Sequence, residues 1–277
     1  SHAYLFYGPA HVGKSTVAKW FAQALVCENE TLKPCNTCRR CKLIMRGAYP
    51  DLVWISPDSA STQISIDTLR ELREKTTRTE FYNSYRIAII EDADKMSAEA
   101  ASAFLKALEE PKGDTLFILT APTLRSLPVT VVSRVATIKF SLISDKEIYN
   151  ALSSQFTKEQ KKFITRSAIG RVGVALSMTG EQVKKMVHEE IAILSLIKAP
   201  VYKKLILIEE MSRATDVSRY AAQMTRLMRD MLLIEVGCVG EIAHPYLIPE
   251  FKKMRPSLPL PLLMTILDEL LEITDTS

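Results

Sequence analysis

Nine consecutive residues near the start, Gly8-Pro9-Ala10-His11-Val12-Gly13-Lys14-Ser15-Thr16, follow the pattern G-x4-G-K-[ST]. Such a run is suited to holding an anion. Its glycines let backbone N–H groups turn inward, and a helix opening at the lysine adds its partial positive end. Lys14 has the reach to touch β- and γ-phosphates, and the Ser15 hydroxyl suits Mg²⁺. ATP-Mg²⁺ is therefore the expected ligand. His11 occupies a variable loop position and is expected to stand in solvent.

A second element, Arg86-Ile87-Ala88-Ile89-Ile90-Glu91-Asp92-Ala93-Asp94, has an apolar run ending in paired acids. It reads as a buried strand delivering carboxylates to a metal at its C-terminal edge. Glu91 is the expected Mg²⁺ ligand beside Ser15, and Asp92 the acid beside the attacking water. Walker B strands normally run Asp-Glu, so the order here is reversed. Successive strand residues face opposite sides, which a one-residue slip cannot absorb. Nucleotide binding is expected to survive the reversal, and fast hydrolysis is not.

Four of the five cysteines, Cys27, Cys35, Cys38 and Cys41, lie within fifteen residues, spaced C-x7-C-x2-C-x2-C. The spacing suits one tetrahedral Zn²⁺ with four sulfurs, a closed site with no open position for catalysis. Free thiols or redox chemistry are the alternatives. Arg39, Arg40, Lys42 and Arg46 flank the cluster and read as a solvated basic face. Cys238 stands alone, by default a buried thiol.

The elements that must position these residues alternate. Ala3–Tyr7, Leu52–Ser56, Arg86–Glu91, Thr115–Thr120 and Val135–Phe140 are short and β-branched or aromatic. Helical stretches lie between them at Thr16–Val26, Ile66–Thr77 and Ser97–Glu110. That alternation argues for an α/β core with a parallel sheet covered on both faces, over residues 1–141. The first strand already feeds the phosphate loop, so an N-terminal segment is expected to be missing. After Ser141 the pattern turns helical: a small module at 142–180, then helices from 181 to 277 with breaks at Pro200, Gly237–Gly240 and Pro256–Pro261. Leu262, Leu263, Ile266, Leu267, Leu270 and Leu271 mark one apolar face, to be spent on the chain's own core or on another subunit.

Composition sets bounds. At 277 residues, 47% hydrophobic and 25% charged, the chain is an ordinary globular one with room for two or three domains. No uninterrupted apolar run approaches a membrane span. The start shows no basic n-region or cleavage site, so a cytoplasmic setting is expected. Residues 1–141 carry 18 basic and 15 acidic side chains and the rest 18 and 17. So even a balance is no footprint of a protein that grips nucleic acid alone.

The residues also carry a resemblance. His2-Ala3-Tyr4-Leu5-Phe6 precedes the phosphate loop, and the four-cysteine insertion follows its helix. Ala101-Ser102-Ala103-Phe104-Leu105-Lys106-Ala107-Leu108-Glu109-Glu110-Pro111 and Leu127-Pro128-Val129-Thr130-Val131-Val132-Ser133-Arg134 come next. Together these resemble bacterial clamp-loader AAA+ subunits of DNA polymerase III, in order through residues 2–180. The delta-prime type is the nearer match and gamma/tau its rival.

The resemblance implies a P-loop AAA+ core with a zinc knuckle at 27–41, an all-α lid at 142–180 and an all-α collar at 181–277 for oligomerisation. It implies that Arg134, in a Ser-Arg pair followed by Val135 where the family has cysteine, reaches a neighbouring subunit's nucleotide. It places Thr120 at the first sensor, and Gly170–Leu176 at the second, where Val174 replaces the usual cation. It implies partners: other clamp-loader subunits in a hetero-oligomeric ring, a sliding clamp, and primed DNA through the assembly. Two functional readings stand. One is a stator whose own ATP site is weak or silent; the other is an active gamma/tau-type ATPase motor. An unrelated AAA+ ATPase would leave the cysteines unexplained.

Overall fold

The computed structural model describes residues 2–58, 63–75, 85–111, 113–197, 217–254, 256 and 258–275. It divides into two compact units: Ser1–Leu142 with Arg171–Gly173, and Ile143–Gly170 with Val174–Ser277.

Unit 1 is a five-stranded parallel sheet. Its strands are β1 (Ala3–Tyr7), β2 (Leu52–Ile55), β3 (Arg86–Ile90), β4 (Thr115–Ala121) and β5 (Ala136–Lys139), in spatial order β2-β3-β4-β1-β5. The register pairs Ala3 with Phe117 and Tyr4 with Ala136, so β1 lies between the two strands made last. β3 pairs with β2 and β4. β3 and β4 are buried along their whole length, as continuous Ile, Leu and Phe runs require of strands covered on both faces.

Side-chain alternation sends Leu5, Ala88, Ile90, Phe117 and Leu119 to one face. There they meet α3 (Ile66–Lys75), α4 (Ala98–Glu109) and α5 (Val129–Val132) through Leu69, Phe104, Leu108 and Val131. Phe6, Ile87, Ile89 and Ile118 go to the other face, onto α1 (Lys14–Val26) and α2 (Arg39–Met45) through Ala18, Ala22, Val26 and Ile44. Ser97 caps α4 by accepting from the Ala100 N–H at 3.1 Å.

Within unit 2, α6 (Asp145–Ala151) opens on a capping box between Ser144 and Glu147, and α7 (Lys158–Ala168) on one between Thr157 and Gln160. There follow α8 (Val172–Ser177, whose first residues belong to unit 1), α9 (Gly180–Ile197), α10 (Val217–Glu235), α11 (Ile248–Met254) and α12 (Leu260–Asp275). Leu263 is fully buried, and Ile266, Leu267 and Leu270 pack with it on Leu227, Met231 and Phe251. That part of the apolar stripe is spent on the chain's own core, while Leu262 and Leu271 face outward.

Two expectations shift. The strand does not run through the acid pair: β3 ends at Ile90, and Asp92 turns left-handed with φ 47°. Alternation along a strand therefore does not govern which way Asp92 points. Cys238 is exposed, not buried, at the start of the Val239–Glu241 turn. The expected break at Pro200 lies outside the described residues, as do Thr76 and Thr77 of the helix expected at Ile66–Thr77. Among the described residues no helix is long and apolar enough to cross a membrane.

Candidate functional site

The sheet topology gathers chemistry at one edge. Gly8 follows β1, Glu91 follows β3, and Thr120 sits near the end of β4 between them. Parallel strands bind ligands at such carboxyl ends, where neighbouring connections diverge. The Gly8 N–H bonds the Ala121 carbonyl at 3.1 Å, and a Cβ there would stand 2.2 Å from the Phe140 carbonyl oxygen. Only glycine lets the loop leave β1 this close to β5. Gly13 (φ 95°) and His11 (φ 62°) are both left-handed and turn the loop into α1.

The cleft they form has a volume of about 550 Å³, lined by the loop, Glu91, Asp92, Asp94 and Gly173 among others. Within it the Ser15 hydroxyl donates to Glu91 Oε1, while Trp54 Nε1 donates to Glu91 Oε2 at 3.2 Å. The Asp92 N–H donates to Thr120 Oγ1 at 3.0 Å, tying the acid turn to β4. Lys14 is buried, its ammonium folded onto the Gly8 and Pro9 carbonyls at 2.6 and 2.8 Å. Burial holds its pKa below the ordinary lysine value, against the raising pull of Asp92, Asp94 and Glu91. Burial first, then the charges of Asp94 and Glu91, holds Asp92 above the usual carboxylate range.

A buried Asp94 Oδ1 lacks a hydrogen-bond partner. Crowded carboxylates, an orphaned oxygen, a serine hydroxyl and a lysine at a helix start form a donor set that fits Mg²⁺ and phosphate.

The phosphate loop has one further neighbour. The Gly173 N–H donates to the His11 carbonyl at 2.7 Å, and a Cβ on Gly173 would come within 2.8 Å of that oxygen. The His11 side chain is exposed as expected, and its backbone does the work.

At the other end of α1, the four cysteine sulfurs lie within 4.8 Å of one another. Cys27 follows α1, Cys38 caps α2, and Cys41 lies inside it. The N–H groups of Cys35, Cys38 and Cys41 point at the sulfurs of Cys27, Cys35 and Cys38 at 3.4, 3.3 and 3.4 Å. N–H groups aimed at sulfur favour thiolates, and four such ligands at about 2.3 Å from one ion would sit about 3.8 Å apart. The cluster fits a metal. A hydrogen bond from Thr37, then backbone N–H groups, draws the Cys35 thiol down to about 6, while burial pushes Cys41 up to about 12. Gln23 fastens α1 to the knuckle through the Cys41 carbonyl at 3.1 Å. Of the flanking basic residues, Arg40 pairs with Glu28 at 3.4 Å.

Arg134 does not line the cleft. It follows α5 at the surface, its Nη2 lying 2.6 Å from Glu109 Oε1. Val174 lies on α8.

Comparison with known proteins gives these residues a context. Residues 1–144 match the family described as DNA polymerase III, delta subunit, which is more than half of the chain. The chain belongs to the DNA polymerase III delta subunit family. A tau subunit of DNA polymerase III from Bacillus subtilis is 28% identical over 299 residues, 97% of this chain and 52% of the relative. A delta' subunit from the same organism is 37% identical over 155 residues, 56% of this chain and 46% of the relative. The chain thus spans about half the length of these relatives. A solved gamma subunit-related protein of DNA polymerase III from Thermotoga maritima covers 97% of this chain and 94% of its own, with 17% identity and a TM-score of 0.48.

The chain has the expected fold class in its architecture, a parallel-sheet core that carries the phosphate loop and a cysteine knuckle, followed by helices. Three site residues escaped sequence reading. Trp54 belongs to no motif and reaches Glu91 because β2 pairs beside β3. Asp94 was visible in the acidic string but had no assigned role. Gly173 lay in a recognised segment, yet its contact with His11 is a backbone packing event without a side-chain signature.

Proposed function

We propose that the chain is a clamp-loader subunit, helping to place a ring-shaped sliding clamp on primed DNA during replication. Its partners are other clamp-loader subunits in a hetero-oligomeric ring, the clamp, and DNA reached through the assembly, in the cytoplasm. Family membership and the tau and delta' relatives support this reading. Residues 142–180 would form a lid, 181–277 a collar, and the four cysteines a structural zinc site.

In that role the loop from Gly8 to Thr16 binds ATP-Mg²⁺, with Lys14 on the phosphates and Ser15 and Glu91 on the metal. Turnover is slow or silent, as in a delta-prime-type stator, and Arg134 acts in trans on a neighbour's ATP. The observation that carries this is the contact of Glu91 with Ser15. The glutamate stands where the metal ligand is needed, which leaves the following position to Asp92, turned left-handed and bound to Thr120. A water-activating base is thereby shorter by a methylene than usual, and Val174 supplies no cation.

A gamma/tau-type motor is the second reading, favoured by the alignment with tau along 97% of the chain. ATP affinity and steady-state ATPase, measured on the purified chain and on the reconstituted assembly, separate the two. Binding with turnover well below ~10 s⁻¹ is expected. Turnover at that ordinary enzymatic rate would replace the stator with the motor.

A further inference from the structure

The helix α4 ends on Glu109 and Glu110, just before Pro111. Carboxylates at a helix C-terminus face the negative end of its dipole, so neither acid helps the helix that carries it. Glu109 instead holds something from outside α4. Its Oε1 lies 2.6 Å from Nη2 of Arg134. The other terminal nitrogen, Nη1, donates to the Thr130 carbonyl at 2.9 Å and approaches the Ser133 hydroxyl at 3.3 Å. Both terminal nitrogens of the guanidinium are therefore engaged by acceptors of the chain itself.

Arginine recognises phosphate most strongly as a fork, with two parallel N–H groups on one anion. While Glu109 holds Nη2 and the Thr130 carbonyl holds Nη1, the guanidinium is fixed against its own chain, and it must leave the carboxylate to turn a parallel pair of N–H groups onto a distant anion. The ion pair is also half open to water, with side-chain exposures of 38% and 49%. Exposed pairs of this kind contribute little to stability and loosen as salt screens them. A contact with little stabilising value, made at the wrong end of a helix, on an arginine whose work lies elsewhere, has the properties of a catch that opens.

We propose that Glu109 is a latch for Arg134. It parks the guanidinium against α4 and releases it to the more highly charged γ-phosphate of a neighbouring subunit's nucleotide. The proposal rests on the reading of Arg134 as acting in trans. Glu109 is thus a positioning residue that acts through Arg134.

The test uses the reconstituted assembly carrying this chain unmodified or as Glu109→Gln, Glu109→Asp, Arg134→Ala, or Glu109→Gln with Arg134→Ala. ATP turnover is followed against ATP concentration at low and high ionic strength. Glu109→Gln should raise kcat about two- to fivefold at low salt, the range an exposed ion pair can shift, with KM unchanged. The gain should shrink as salt rises, Glu109→Asp should fall between, and the double variant should match Arg134→Ala. The thermal midpoint of the isolated chain should not move, whereas a structural role for Glu109 would lower it. If Glu109→Gln lowers kcat, or leaves it unchanged at every salt while Arg134→Ala lowers it, the latch is wrong and the trans role of Arg134 stands. If Arg134→Ala leaves turnover unchanged, the trans reading falls and the latch with it.

Discussion

The Ser15 hydroxyl donates to the Glu91 carboxylate across the cleft, and Trp54 secures the other carboxylate oxygen. The longer side chain at position 91 spans from the end of β3 to the start of α1. Both oxygens are held, so Glu91 is oriented toward the same space as Ser15.

Glu91→Gln keeps both contacts in reach but removes the charge. Mg²⁺-dependent ATP affinity should fall by at least tenfold, about 1.4 kcal/mol, while metal-free binding changes little. Lys14→Ala should lose a similar amount with or without the metal, because it removes a charge on the phosphates themselves. Titration of a fluorescent ATP analogue with and without Mg²⁺ reads both. Equal losses for Glu91→Gln in the two conditions would remove Glu91 from the metal.

The knuckle should hold one zinc per chain. Elemental analysis gives the stoichiometry, and Cys38→Ser should lose the metal. Destabilisation should follow, since Gln23 of α1 is bonded to the Cys41 carbonyl and α2 packs through Ile44 on the same sheet face as α1. A chain free of metal with an unchanged melting temperature would overturn the assignment.

Gly8→Ala should cost about 2 kcal/mol or more, because its Cβ meets the Phe140 carbonyl at 2.2 Å on a backbone at φ 152°. Gly173→Ala carries the steric problem alone, at 2.8 Å from the His11 carbonyl. Its effect should appear in ATP affinity more than in stability, as the loop yields. Chemical denaturation and ATP titration of the two variants compare them directly.

Unit 2 contains a fully buried charge cluster. His244 Nδ1 lies 2.6 Å from Asp230 and Nε2 3.2 Å from Glu190, with the Tyr246 hydroxyl donating to Glu190 at 2.5 Å. Arg229 approaches Asp230 at 3.5 Å, Arg226 also faces the cluster, and the Phe163 ring packs on the imidazole. Burial alone pushes the His244 pKa down, but the bonds to Asp230 and Glu190 reverse this and hold it above its ordinary value. A raised folded-state pKa means the stabilisation is complete below about 6.5 and is lost as pH rises through the raised value. The urea midpoint should therefore fall on going from mildly acidic to alkaline pH. His244→Leu should flatten that slope and cost about 3–5 kcal/mol, since it strands two buried acids. A pH-independent midpoint in the unmodified chain would refute the charged imidazole.

Sequence and structure agree where the signal is local and dense. The phosphate loop, the β3 run and the cysteine spacing each specify a conformation within a few residues, and each stands where its pattern put it. Asp92 departs because the turn after β3 is set by tertiary contacts, above all its N–H on Thr120, which lies far along the chain. The His244 cluster was illegible for the same reason. Glu190, Asp230 and His244 come from α9, α10 and the loop before α11, and no periodicity links them. The habit of its residue type would bury Cys238, whereas its position in a Gly-flanked turn exposes it.

The placement of β1 bears on how the chain reaches this structure at all. Ala3 pairs with Phe117 and Tyr4 with Ala136, so the first of these five strands to be made has both its neighbours in the two made last. The sheet cannot close around β1 until Lys139 is out, and its apolar residues must wait through that interval. The cysteine loop, by contrast, closes over a short span and can form while synthesis continues. Long-range parallel pairing of this kind folds slowly and leaves strand edges open to wrong partners. Nascent unit 1 is thus a natural client for chaperones, and a pause with β5 still inside the ribosome should leave it sticky, whereas a pause after Leu142 has emerged should not.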